Sequence, residues 1–182
     1  AAGAGGGMTE TCPILYVGAG GPLAASGCQP TAPLPTLAKA LDALALRADA
    51  TEIRICEGDY EEPDLLVPRP VRITGSWDCK TWVELSPVSQ RNPKTKIIRR
   101  GETGIRFHGT THTPALSAFE RIKLVLNPTT TGKATAISVT GGASPTLHYL
   151  DVFFEGNTRA EGDAYGSAAL FVDAGSRAHV DD

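Results

Sequence analysis

Three apolar residues, Ile105, Ile137 and Leu170, hold matching places in segments that begin "GIRF", "TAIS" and "SAAL", about 32 residues apart. Each repeat is a short alternating strand, a glycine-containing turn, another strand and a longer polar loop. A chain with this period, and no helix between its strands, is built by stacking like units. A propeller blade has four strands, a longer period and stronger Asn-Gly or Asp-Gly hairpin signals. A Greek-key sandwich does not repeat in this way. The period therefore predicts an all-β chain folded as a parallel β-helix solenoid.

The composition agrees. The 182 residues suffice for one sizeable core and would be cramped as two full domains. Glycine (20) and proline (13) are frequent while aromatics are 6%, which suits many short elements joined by tight turns. A net charge of −3 argues for no nucleic-acid partner. No apolar run nears the roughly 20 residues that cross a bilayer, so no transmembrane segment is expected. The opening "AAGAGGGMTETC" reads as a mature or trimmed product, with residues 1–11 a flexible Gly/Ala-rich tether.

Cys12, Cys28, Cys56 and Cys79 form two sequence-local pairs with no C-x-x-C. The four histidines lie far downstream, so a zinc site is not indicated and no cofactor is expected. An even count at local spacing points to two disulfides and an oxidising compartment. Three connectivities remain open.

The region 12–50 reads as a strand at 14–17, a loop rich in turn formers, and one helix over 35–48. Leu34, Leu37, Leu41 and Leu44 make a single apolar stripe, and Pro35 and Thr36 are good helix-starting residues. From Thr51 to Asp182 the period becomes two. Ile53 and Ile55 face inward, as do Val71 and Ile73, Ile105 and Phe107, and Ile122, Leu124 and Leu126. The helix lies ahead of a strand-only region and is expected to cap its first exposed end.

The segments "LYVGAGG", "LPTLAKALDALA" and "EIRICEGDYEEPDLLVPRPVRITGSW" resemble the N-terminal part of right-handed parallel β-helix proteins of the pectate-lyase-like superfamily. Gly58, Asp59 and Tyr60 hold the Gly-x-Tyr turn of that pattern, and Gly75 the glycine that ends its last strand. The likeness covers about residues 14 to 182. It bears on fold more than activity, since enzymes, adhesins and other proteins share this beginning. "GSWDCKTW" is similar to a segment of predicted secreted or lipoprotein β-helix proteins of myxobacteria. That resemblance implies a Cys56–Cys79 pairing and an extracellular or cell-surface location, with outer-membrane attachment as one form of it.

The repeat stops mid-unit at "RAHVDD", so the sequence reads as the first turns of a longer rod, or else as a subunit whose open end pairs with another copy. Candidate ligand residues are few. Asp151 takes an outward strand position with Lys123 one repeat away. Arg72 and Arg106 belong to a basic stretch of nine cations and three anions between Arg69 and Arg106, which would suit an acidic polysaccharide or another cell-surface component. Trp77 and Trp82 flank Cys79 and are better placed to pack on a disulfide than to stack on a sugar. Phe153 and Phe171 take outward parity in strands expected to be neighbours, and His108, His148 and His179 are outward too. None of this assembles a catalytic set. The expectation is a non-catalytic extracellular or surface module, structural or adhesive. The alternatives are the capped half of a polysaccharide lyase or hydrolase, and a filament subunit.

Overall fold

The computed structural model describes residues 11–85, 92–128, 134–155 and 168–181. The expected tether, residues 1–11, falls outside them except for Thr11. Among the described residues the regular structure is all strand apart from one helix. Its elements run β1 (Ile14–Val17), α1 (Leu37–Leu46), β2 (Glu52–Cys56), β3 (Gly58–Glu62), β4 (Leu65–Val67), β5 (Arg72–Trp77), β6 (Thr95–Arg100), β7 (Thr103–His108), β8 (Ala118–Asn127), β9 (Thr135–Thr140), β10 (Thr146–Phe154), β11 (Ala168–Val172) and β12 (His179–Asp181).

Every ladder between these strands is parallel. The first runs β1-β2-β5-β8-β10-β12. The second joins β3, β6 and the later halves of β8 and β10. The third runs β4-β7-β9-β11. The chain visits the ladders in the same order each time: β2, β3, β4, then β5, β6, β7, then β8 in both its halves and β9. β8 and β10 serve two ladders because each bends once, at Arg121 (φ 56°) and Tyr149 (φ 51°). Ser76 makes the same left-handed bend in β5 (φ 62°). Gly75 lies just before it, inside the strand and not at its end. A Cβ there would sit 2.5 Å from the Arg121 carbonyl oxygen, so glycine lets two bends pack together.

Strand alternation fills the interior. Leu15, Ile53, Ile73, Phe119, Leu147 and Val180 stack in register on the first ladder. Tyr60, Ile97, Leu124 and Val152 do so on the second, and Leu65, Ile105, Ile137 and Leu170 on the third. The period of about 32 residues holds from Ile105 to Ile137 to Leu170 on the third ladder, whereas Ile53, Ile73 and Phe119 on the first are 20 and 46 residues apart. Leu15, Ile53, Ile73 and Phe119 are fully buried. Each such side chain contributes roughly 1.5–3 kcal/mol relative to an exposed one.

Helix α1 spans Leu37–Leu46, shorter than the expected 35–48, with Thr36 as N-cap. It buries Leu37, Ala40, Leu41 and Leu44 and packs on β1, β3 and β4. β3 and β4 are the first strands of the second and third ladders, so the helix stands where a preceding strand would be. Both its ends are tied to the strands. Thr36 Oγ1 accepts from Lys39 N at 3.2 Å, and the buried Glu62 carboxylate accepts from Leu37 N at 2.5 Å and Ala38 N at 3.0 Å. Burial pushes Glu62 up from the usual carboxylate range, against the pull of those two N–H groups. At the far end Arg69 donates to the Leu44 carbonyl at 3.1 Å, the Ala50 carbonyl at 2.6 Å and the Arg47 carbonyl. An anion at the N-terminus and a cation at the C-terminus match the helix dipole. Glu62→Ala is expected to cost about 2 kcal/mol, since it removes a charged acceptor from two helix N–H groups. Hydrogen exchange should then quicken across 37–46 before the rest of the chain, and uniform exchange would refute this anchoring role.

Disulfides join Cys12 to Cys28 and Cys56 to Cys79. The first ties the segment before β1 to the loop that follows it. The second ties the end of β2 to the excursion after β5. Cys12 N also donates to Asp49 Oδ2 at 2.5 Å, which holds that carboxyl below its usual range.

Candidate functional site

The outer face of the first ladder brings several charged side chains beside a groove. Arg72 on β5 and Glu120 on β8 point outward because Ile73 and Phe119 point in. The register sets Arg72 opposite Ala118 and Thr74 opposite Glu120, so the pair meets diagonally above the small Ala118. Arg72 Nε and Nη2 donate to Glu120 Oε1 and Oε2, both at 3.1 Å. The Glu120 side chain is 9% exposed and that of Arg72 58%. The hydrogen bonds to Glu120 hold the guanidinium above its ordinary value. Beside them runs a groove of about 440 Å³ whose walls include Thr51, Pro114, Leu116, Ala118 and Thr146. Its lining comes from successive circuits, so it crosses the strands, and its volume is that of a small-ligand cleft.

Trp77, at the end of β5, is covered. Arg54 lies over its ring at 4.3 Å and Arg121 at 5.8 Å, while Trp77 Nε1 donates to Thr74 Oγ1 at 3.0 Å. The two arginines are themselves paired, Arg54 with Glu52 at 2.8 Å and Arg121 with Glu84 at 2.8 Å. Trp82 packs edge-on against Tyr16 at 4.8 Å, and its Nε1 donates to the Pro30 carbonyl at 3.0 Å. Both indoles therefore anchor the segment after β5 and neither forms an open stacking platform.

Arg106 lies on the third ladder, 3.6 Å from Asp64, and so does not share a face with Arg72. The basic stretch read from sequence is divided between ladders because β6 turns the chain between them. Phe153 and Phe171 are likewise separated, on the second and third ladders, and are not neighbours. The loop expected to lie over them, 155–167, falls outside the described residues after Glu155. Asp151 does sit in register with Lys123 on the next strand. Lys123 Nζ lies 4.0 Å from the centre of the Phe153 ring, and the neighbouring Lys96 pairs with Asp59 at 3.4 Å. Of the outward histidines, His108 meets Thr140 Oγ1 at 2.9 Å, His148 stacks on Tyr149 at 3.7 Å, and His179 is exposed on β12. His108 belongs to the third ladder and the other two to the first. Among the described residues no group of three or more potential ligands could hold a metal ion.

Glu120, Arg121, Glu84 and Arg54 were not singled out in the sequence. The alternation read through Ile122, Leu124 and Leu126 puts Glu120 inward, and the bend at Arg121 reverses it, so that Phe119 faces in and Glu120 out. Its closeness to Arg72, 48 residues away, depends on the register between circuits.

His112 lies under the groove, fully buried, its Nδ1 2.9 Å from the oxygen of Ser117 and its ring edge-on to Phe107 at 5.7 Å. Burial holds the imidazole below its ordinary value. A histidine depressed in the folded state takes up its proton more readily when unfolded. Its stabilising contribution is therefore complete above the unfolded value of about 6.5 and is lost as pH falls below it. The urea midpoint should drop on going from about pH 8 to about pH 5, and His112→Gln should flatten that slope. An equal slope in the variant would assign the effect to other groups.

In comparisons with known proteins, no family model matches the chain, and neither a curated protein nor a solved structure matches it.

Proposed function

We propose that this chain is a right-handed parallel β-helix module of the pectate-lyase-like kind, non-catalytic, with a structural or adhesive role outside the cell or at its surface. The reading rests chiefly on the three parallel ladders visited in fixed order behind a helix tied at both ends. Two disulfides fit an oxidising compartment. The charges on the outer faces are largely spent on one another: Glu52 with Arg54, Glu120 with Arg72, Glu84 with Arg121, Asp59 with Lys96. Carboxylates bound in this way are poorly set for acid–base work on a sugar, which needs two of them facing one bond.

The test incubates the 182-residue protein with neutral and acidic polysaccharides and follows reducing ends and unsaturated products, alongside binding to bacterial envelopes. Envelope binding without turnover is expected. Turnover by this chain alone would sink the non-catalytic reading. The groove beside Arg72 and Glu120 favours a second reading, a polysaccharide-binding part of an enzyme. That reading predicts saccharide binding that Arg72→Ala abolishes.

A further inference from the structure

The groove beside Arg72 and Glu120 lies within the strand stack. Ala118 stands in it with Arg72 and Thr146 as register partners on its two sides, and β12 stacks beyond Thr146. A small residue between two longer ones leaves a notch in the outer face. Beside the notch is the turn before β8, with Pro114 and Leu116 exposed on it. That turn is braced from within. Leu116 N and Ser117 N both donate to the Thr113 carbonyl, at 2.9 and 2.8 Å, and Thr146 Oγ1 donates to the Pro114 carbonyl at 3.3 Å. Ser117 Oγ meets the buried His112 at 2.9 Å. Pro70 adds a further rigid apolar surface. A cleft already formed loses little ordering entropy when a ligand enters it.

The charges in the groove do not balance. Its lining holds two guanidiniums, Arg69 and Arg72, and one carboxylate, Glu120, which leaves one positive charge in excess. Arg69 gives Nε and Nη2 to carbonyls at the helix end, which carry no full charge. Arg72 gives Nε and one N–H of Nη2 to Glu120. A guanidinium has a second edge, made of Nη1 and the other N–H of Nη2, and here it is turned away from Glu120. The Arg72 side chain is more than half exposed, so this edge is within reach of a ligand. Glu120 fixes the plane of the fork, and the edge left over matches another carboxylate in shape. None of the described residues that line the groove is aromatic, and both indoles are covered, so a sugar ring finds no face to stack on.

We propose that this groove is a binding site for a small apolar monocarboxylate. The ligand's carboxylate takes the second edge of Arg72, and its hydrocarbon body lies against Pro70, Pro114 and Leu116. Its single negative charge meets the one positive charge in excess. The site is independent of whether the chain turns over polysaccharide or adheres to it.

The experiment titrates phenylacetate into the 182-residue protein and follows amide chemical shifts. Shifts are expected at Arg72, at 114–118 and at Thr146, saturating with a Kd on the order of 1 mM, the scale for so few atoms. Phenylacetamide, alike in shape but uncharged, should bind about tenfold more weakly. Arg72→Gln should cost phenylacetate about the same factor. Leu116→Asp should cost at least as much, by setting a carboxylate against that of the ligand. Leu116 is exposed, so this variant should melt with the parent and its loss of binding is not a loss of fold. Galacturonate bound as tightly as phenylacetate would assign the groove to saccharides and overturn the proposal. Equal binding of the amide, shifts that do not saturate, or binding indifferent to both variants would overturn it too.

Discussion

Replacing Arg99 with leucine is expected to destabilise the fold by about 3 kcal/mol, read as a lowered urea midpoint at unchanged slope. Arg99 is on β6, where alternation points it inward after Ile97, and only 5% of it is exposed. Its guanidinium fills the corner between the second and third ladders. Nη1 donates to the Glu62 carbonyl at 3.0 Å, Nε and Nη2 to the Thr103 carbonyl at 3.1 and 2.9 Å, and Nη2 also to the Asp64 carboxylate. Burial holds it below its ordinary value, with Asp64 pulling the other way. Leucine would leave two corner carbonyls without their donor, and each such loss costs roughly 1–3 kcal/mol. Lysine keeps the charge but lacks the planar fork, so Arg99→Lys should recover little. A midpoint unchanged by either variant would mean that water can replace the arginine.

Phe119→Ala should cost more, about 4 kcal/mol, through the cavity it leaves in a fully buried column. The ring sits between Ile73 and Leu147 in register, with Phe107 edge-on at 6.4 Å across the core. The comparison with Val180→Ala makes this a test of position along the stack. The two residues share one column, but Val180 is 67% exposed, so its truncation should change the monomer by no more than about 0.5 kcal/mol. Similar costs at both positions would contradict the buried gradient.

Much of the interior could be read from the chain alone. Ile105, Ile137 and Leu170 are register partners on the third ladder, and the inward parity assigned to Ile53, Ile73, Phe107 and Leu124 agrees with their burial. A two-residue alternation survives in any strand with one wet face, which makes this layer legible. The bends at Arg121 and Tyr149 gave no signal, because neither residue type favours a left-handed backbone. They are imposed by stacking on the neighbouring circuit. Glu62 and Arg99 had inward parity too. A charged residue at an inward place is interpretable only when its partner is known, and those partners are helix amides and corner carbonyls remote in sequence. The surface was the least legible part: Arg72 and Arg106 looked like one basic strip until the corner at Arg99 separated them.

The corners themselves are unequal. Between the first and second ladders β8 and β10 turn on a single residue, whereas the chain leaves the second ladder after Asn127 and after Phe154 and rejoins the third only at Thr135 and Ala168. Both connections join the same two ladders, and the strands that follow them are in register, Thr135 with Thr103 and Ala168 with Thr135. Length can be added at that corner without disturbing a single ladder pairing, since closing a longer loop costs only about 0.6 kcal/mol per doubling. The frame thus separates what must stay constant from what is free to vary. A short foreign peptide grafted between Asn127 and Thr135 should therefore leave the urea midpoint of the parent nearly unchanged.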